Sequence, residues 1–143
     1  MIETATTKQI PELLEVRFDS IICNKHGFYT DRELKVWIQD LNLDEFENII
    51  HNDSLFIFKD SKNNLCAMAG WYKESVRHTH VLPSYFGQGI GSELMAYVEN
   101  DFSKRTGKTY ILCGCAGNSL GFYQKLGYKI LKEAYDWDGS FYY

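Results

Sequence analysis

Two short stretches hold the residues best suited to chemistry. The first is Val81-Leu82-Pro83-Ser84-Tyr85-Phe86-Gly87-Gln88-Gly89-Ile90-Gly91-Ser92, where glycines recur at alternate positions between a β-branched strand end and a helix-like run. Such glycines let the backbone close on a ligand and turn several N–H groups toward one point. The positive end of the following helix adds to them, so the natural guest is a phosphate or pyrophosphate. No Lys or Arg lies between Val81 and Met95, so backbone amides rather than side-chain charge would hold it. The second stretch is Asn118-Ser119-Leu120-Gly121-Phe122-Tyr123-Gln124-Lys125-Leu126-Gly127-Tyr128. Asn118 or Ser119 can cap a short helix, Phe122 and Leu126 form an i,i+4 apolar pair, and Gly127 can stop the helix. Tyr123 brings a phenol, a proton donor with a reference pKa near 10.

Three phosphate-binding patterns compete for the first stretch. A P-loop requires Lys-Ser or Lys-Thr after its last glycine, whereas Ser92-Glu93 follows Gly91. A dinucleotide fingerprint needs a glycine where Leu94 stands, and it belongs in the first βα unit rather than past mid-chain. The third pattern is met. The stretch resembles the acyl-coenzyme A loop of the Gcn5-related N-acetyltransferase (GNAT) superfamily, where a Val-x-Pro strand end precedes Arg or Gln, two residues, Gly, one residue, then Gly or Ala. The frame here is Phe86-Gly87-Gln88-Gly89-Ile90-Gly91, with Phe86 in place of the Arg or Gln. The second stretch is similar to the family's other hallmark, an Asn before a short helix ending Phe-Tyr-x-Lys-Leu-Gly-Tyr. Both patches stand in family order and at family spacing.

The resemblance implies an α/β (α+β) fold with a mixed, mostly antiparallel sheet that splays at the strand before the glycine loop, and helices on both faces. It implies acetyl-CoA as cosubstrate, its pantetheine arm bonding amides left unpaired by the split. Val81, Leu82, Phe86, Gly87, Gln88, Gly89, Ile90, Gly91, Ser92, Asn118 and Tyr123 would surround that ligand. The implied reaction is attack of an amine on the thioester. Tyr123 takes the position of the acid that protonates the departing thiolate, and a backbone N–H at the end of strand 76–82 stabilises the oxyanion. Glu74, His78 and His80 are the candidates for general base, none in unambiguous register with a family motif. The two histidines share a strand face if no bulge intervenes, and a pKa near 6.5 suits the task. The acceptor is a small-molecule or protein amine. A second reading, a non-catalytic acyl-CoA sensor on the same fold, follows from Phe86 and the unassigned base.

The surrounding sequence reads as alternating elements that position these patches. Residues 2–6 suggest a strand, and the spacing over 8–23 predicts a helix with Pro11 in its first turn. Residues 24–29 read as a loop. Thr30-Asp31-Arg32-Glu33 is a capping box opening a second helix, and a third begins at 44–51. A hairpin of strands 55–59 and 65–72 turns through 60–64. Strand 76–82 leads into the glycine loop and helix 92–106 leaves it. Strand 110–115, helix 118–126 and closing strands 128–133 and 140–143 complete the order.

Composition narrows the class. At 143 residues the chain makes one domain, 1–143, large enough for a core without staples. A net charge of −4, with no Lys/Arg cluster, excludes a phosphate-tracking nucleic-acid surface. Cys23, Cys66, Cys113 and Cys115 show no framework or finger spacing, and no metal site is expected. The opening residues carry no leader pattern and no run approaches the roughly 18 apolar residues of a membrane span. A cytoplasmic, reduced protein acting as monomer or homodimer is the expectation.

Overall fold

The computed structural model describes residues 1–23, 30–115 and 119–131, together with the backbone of 134–135 and 141–142. Strand β1 (Ile2–Thr4) leads through a 3-10 turn into α1 (Ile10–Ile22), followed by α2 (Asp31–Gln39), α3 (Leu43–His51), β2 (Leu55–Lys59), β3 (Leu65–Tyr72) and β4 (Ser75–Val81). After the glycine loop come α4 (Ile90–Thr106), α5 (Leu120–Lys125) and the short strands β5 (Ala134–Tyr135) and β6 (Phe141–Tyr142). The expected loop 24–29, and residues 132, 133, 140 and 143 of the closing strands, lie outside the described residues.

Strands β1 to β4 form one antiparallel sheet in chain order, because each is joined to the next by a hairpin or by helices returning along one face. The period-2 alternation decides what each face buries. Leu55, Ile57 and Met68 pack with Leu13 of α1 and with Phe46 and Ile49 of α3. Phe56, Ala67 and Ala69 pack with Leu94, Met95 and Val98 of α4. Each buried large aliphatic contributes about 1.5–3 kcal/mol, so this sandwich carries the stability. Helices cover both faces, as the resemblance implies. Among the described residues no helix is long and apolar enough to cross a membrane.

Caps explain the helix starts. Thr30 Oγ1 accepts from Glu33 N at 3.2 Å while Glu33 Oε1 accepts from Thr30 N at 3.1 Å, the expected capping box. Asn42 Oδ1 accepts from Glu45 N, so α3 begins at Leu43, one residue early. Arg17 is buried on α1 and donates to the carbonyls of Trp37 and Ile38 at 2.6 and 2.7 Å, closing the C-terminal turn of α2.

Four expectations are corrected. Residues 110–115 form no strand; they touch the sheet at one parallel bridge, Ser75–Leu112. Helix α4 begins at Ile90 rather than at 92, because left-handed Gly89 already serves as its cap. Of the two residues offered as a cap for α5, Ser119 stands at the N-cap with a helical backbone and makes no capping bond, while Asn118 lies outside the described residues. Residues 128–131 form no strand, and among the described residues β5 pairs with β6 in a separate two-stranded sheet.

Candidate active site

The glycine loop is built from the sheet outward. After Val81, Leu82 N still bonds Cys66 O at 2.9 Å, and Pro83–Tyr85 make a single 3-10 turn. Tyr85 then donates its hydroxyl to Asp60 Oδ2 at 2.7 Å, in the β2–β3 turn, which pins the loop's entrance. That bond and the amides of Lys62 and Asn64 hold the Asp60 carboxylate down at about 2. Sequence reasoning missed this anchor, because nothing in either segment names the other. Gly87 and Gly89 both stand at φ 78°, a left-handed backbone that L side chains resist. The first α4 amide with a carbonyl beneath it is Glu93 N, on Gly89 O at 3.0 Å. The amides of Ile90, Gly91 and Ser92 therefore point out of the helix start unpaired by the helix.

The loop residues divide by role. Gly87, Gln88, Gly89 and Ser92 are exposed, and a Cβ at Gly87 or Gly89 would meet nothing within 4 Å, so the surface in front of them is open. Ile90 buries its side chain in the core and can offer only its amide. Gly91 is small for a packing reason: a Cβ there would sit 3.2 Å from the Phe122 ring. Phe86 is 56% exposed, so its ring faces solvent at the loop rather than filling the core. Asn118 lies outside the described residues.

Beyond the Ser75–Leu112 bridge the two backbones part. Val76 N bonds Leu112 O and Leu112 N bonds Glu74 O, both at 2.8 Å, and no further backbone bond joins β4 to 113–115 among the described residues. A wedge opens toward the glycine loop. Tyr123 of α5 stands in it, 7% exposed, edge-on to Phe122 and Tyr128. Thr79 of β4 and Cys113 are the polar side chains that act on its hydroxyl. Loss of solvation raises the phenol well above its ordinary value, and the same cause pushes the Cys113 thiol up to about 12. A cavity of about 860 Å³ continues behind the 111–115 segment, bounded by Phe102, Tyr128 and Leu131.

A bulge decides what β4 presents to this wedge. Gly70 pairs with Arg77 and Met68 with His80, so two β4 residues, His78 and Thr79, oppose the single Ala69. His78 absorbs the extra residue at φ 56°. Faces exchange at that point. Val76 packs toward α4, and regular alternation would send His78 and His80 after it. Instead Thr79 turns that way, its Oγ1 3.7 Å from Met95 Sδ, while His80 Nδ1 meets Ser20 Oγ of α1 at 2.7 Å and His78 lies edge-on to Phe46 of α3. The two rings do share a side, against α1 and α3 and away from Tyr123.

That placement corrects the expected basicity. Loss of solvation first, then neighbouring positive charge, Arg17 among it, lowers His78 to about 4 and His80 to about 3. Both imidazoles are neutral near pH 7. His78 Nε2 is enclosed with no hydrogen-bond partner among the described residues. Glu74 sits in the β3–β4 turn, its carboxylate bonded to Lys108 Nζ and lowered by it. It stands five positions before Thr79, about 16 Å along the strand. Thr79 stands beside Tyr123 without having been singled out in the sequence, and Cys113, weighed there only as a metal or disulfide residue, stands beside it too; Arg17 and Ser20, also not singled out, surround the histidines on the other side.

The acetyltransferase (GNAT) domain model matches residues 26–142 of the chain. Solved structures with the same architecture include the PaiA N-acetyltransferase of Thermoplasma acidophilum in complex with coenzyme A, at TM-score 0.71 and 19% identity over 99% of this chain and 96% of that one. A GCN5-related N-acetyltransferase from Rhodopseudomonas palustris superposes at TM-score 0.82 and 15% identity, over 94% and 84% of the two chains. A predicted acetyltransferase with acetyl-CoA from Clostridium acetobutylicum does so at 0.67 and 18%, over 95% and 94%. At these identities the likeness is one of fold. No curated protein sequence matches the chain.

Proposed function

Because the chain belongs to the acetyltransferase (GNAT) domain family, we propose that it transfers the acetyl group of acetyl-CoA directly to the nitrogen of an amine. The observation that carries this reading is the wedge between β4 and 113–115, with the Tyr123 phenol inside it and a glycine loop of outward amides at its mouth. The open surface at Gly87 and Gly89 fits a diphosphate, and the strand-like gap fits an extended, hydrogen-bonding arm. Likeness to structures solved with coenzyme A and with acetyl-CoA supports the same ligand here.

Tyr123 then acts on the leaving group. A phenol raised by burial keeps its proton at working pH, which an acid must do. In water it would be too weak to protonate a thiolate of reference pKa about 8.5. The wedge raises both partners: loss of solvation pushes the Cys113 thiol up to about 12 and lifts the Tyr123 phenol with it, so Tyr123 remains the weaker acid and its proton moves only in concert with cleavage, as charge builds on the departing coenzyme sulfur. Tyr123 gives its proton to that sulfur as the carbon–sulfur bond breaks, and recovers one from solvent.

The amine needs a lone pair before it attacks. Glu74 is committed to Lys108 at the far end of β4, and His78 and His80 are weak bases facing the α1 side. The acceptor therefore reacts from its unprotonated fraction, and the rate climbs with pH up to the amine's own pKa. The test is thiol release from acetyl-CoA over alkyl, aryl and peptide α-amines, with Tyr123→Phe as the diagnostic variant. That change keeps the ring and removes the donor, so kcat should fall roughly ten- to a thousand-fold while the acetyl-CoA Kd stays within a few-fold. No turnover with any amine, alongside intact acetyl-CoA binding, would replace this reading with the acyl-CoA sensor that Phe86 suggests.

A further inference from the structure

We propose that the cavity behind residues 111–115 is an acyl-chain pocket, and that the protein accepts acyl-CoA donors with tails well beyond acetyl. The inference rests on the proposal that the wedge holds the thioester. It starts from continuity: Tyr123 and Cys113, which stand in the wedge, also line the cavity of about 860 Å³. A carbon chain leaving the thioester carbonyl past Tyr123 therefore enters that space. Gly114 lines it as well, and a Cβ there would meet nothing within 4 Å. The partition between wedge and cavity thus carries no side chain at its middle.

The walls say what the guest is. Phe102, Ile111, Leu112, Leu120 and Leu126 make them largely apolar. Of the three charged side chains among the lining residues, Glu99 accepts from the Tyr128 hydroxyl at 2.9 Å and Lys108 Nζ is bonded to Glu74. The third, Lys129, is exposed. Two charges are thus committed within the protein and one faces water, which leaves burial of apolar surface as the binding force. An acetyl methyl covers almost none of that surface. The volume lies in the range of pockets that take small-molecule ligands, roughly 300–1,000 Å³, and a hydrocarbon tail matches it in size and chemistry. The transfer step is unchanged: the amine nitrogen bonds the acyl carbon and gives up a proton, the carbon–sulfur bond breaks, and the coenzyme sulfur leaves protonated.

Titration calorimetry of the intact chain with acetyl-, butanoyl-, hexanoyl- and octanoyl-CoA tests this without any amine. Each added methylene should tighten binding by up to about fourfold, so octanoyl-CoA should exceed acetyl-CoA by at least roughly 30-fold. Ile130 and Leu131 line the cavity and are 45% and 82% exposed, so the fold tolerates a charge at either. Ile130→Asp should leave the acetyl-CoA Kd within about twofold and cut the octanoyl gain roughly tenfold or more. If Ile130→Asp melts early, Leu131→Asp reads the same outcome. With the best amine of the panel, thiol release from octanoyl-CoA should persist; tight binding without turnover overturns the donor claim. Affinity independent of chain length, beside intact acetyl-CoA binding, overturns the pocket and leaves acetyl transfer standing. So does an octanoyl gain that both variants leave untouched, because the tail would then lie elsewhere. Failure to bind any acyl-CoA removes the wedge as the thioester's site and this inference with it.

Discussion

Gly89→Ala separates a phosphate cradle from an ordinary tight turn. Gly89 caps α4 at φ 78° and ψ 6°, and a Cβ built on it meets nothing within 4 Å. The substitution therefore introduces no clash, and its whole effect is the left-handed backbone, about 1–2 kcal/mol for an L-residue. That free energy can surface in two places. If the alanine stays left-handed, the amides keep their directions, acetyl-CoA binds as before, and Tm falls by about 3–8 °C for a domain of this size. If it relaxes to negative φ, stability recovers, the Gly89 and Ile90 amides swing off the ligand, and binding must restore the strained form. Affinity then falls by about 5–30-fold, the same 1–2 kcal/mol. Gly107 supplies the control. It caps the other end of α4 at φ 73°, also with nothing within 4 Å, so Gly107→Ala should lower Tm comparably and leave affinity alone. Thermal melts and titration calorimetry read both quantities. Wild-type Tm together with wild-type affinity for Gly89→Ala refutes the cradle, as does an affinity loss that Gly107→Ala reproduces.

Two further outcomes follow from charge. His78 and His80 sit at about 4 and about 3 when folded, below the roughly 6.5 of an unfolded chain, so as pH falls the unfolded chain takes up protons first. Stability is then unaffected above about pH 7 and drops from about pH 6.5 toward pH 3, by at most about 1.4 kcal/mol per pH unit for each ring. Urea midpoints should fall between about pH 7 and pH 5, less steeply in His78→Asn; a flat profile contradicts the burial of these rings. Phe86→Arg places a cation on an exposed loop position, so stability should hold within about 0.5 kcal/mol. Coenzyme A should bind at least as tightly, with the gain shrinking in salt. Clearly weaker binding would assign the Phe86 ring a contact with the ligand.

Elements with local causes were legible in the sequence. The capping box at Thr30, the β2–β3 hairpin and the left-handed glycines each depend on residues a few positions apart, and each formed where expected. What failed depends on partners distant in sequence. Residues 110–115 carry the β-branched and aromatic composition of a strand, yet strandhood also needs a paired edge, and the edge of β4 leaves Leu112 after a single bridge. Arg17 reads as a charged position in an amphipathic helix. Its burial follows only once the last carbonyls of α2, some twenty residues on, arrive above it.

The strand Ser75-Val76-Arg77-His78-Thr79-His80-Val81 is the sharpest case, because its text argues for the wrong assignment of faces. Simple alternation sets Val76, His78 and His80 together on the α4 side, beside Tyr123, and so offers two imidazoles as bases next to the acid. One residue of left-handed backbone at His78 reverses everything after it. No glycine or asparagine marks the spot, so the bulge has no sequence signature. Its effect is chemical. The rings pass to α1 and α3, where loss of solvation and Arg17 hold them neutral. The Tyr123 side is left with hydroxyl and thiol groups, Thr79 and Cys113. On the function proposed above, that wedge delivers a proton to sulfur but offers, among the described residues, no strong base to take one from nitrogen, and the choice of acceptor must answer to that asymmetry.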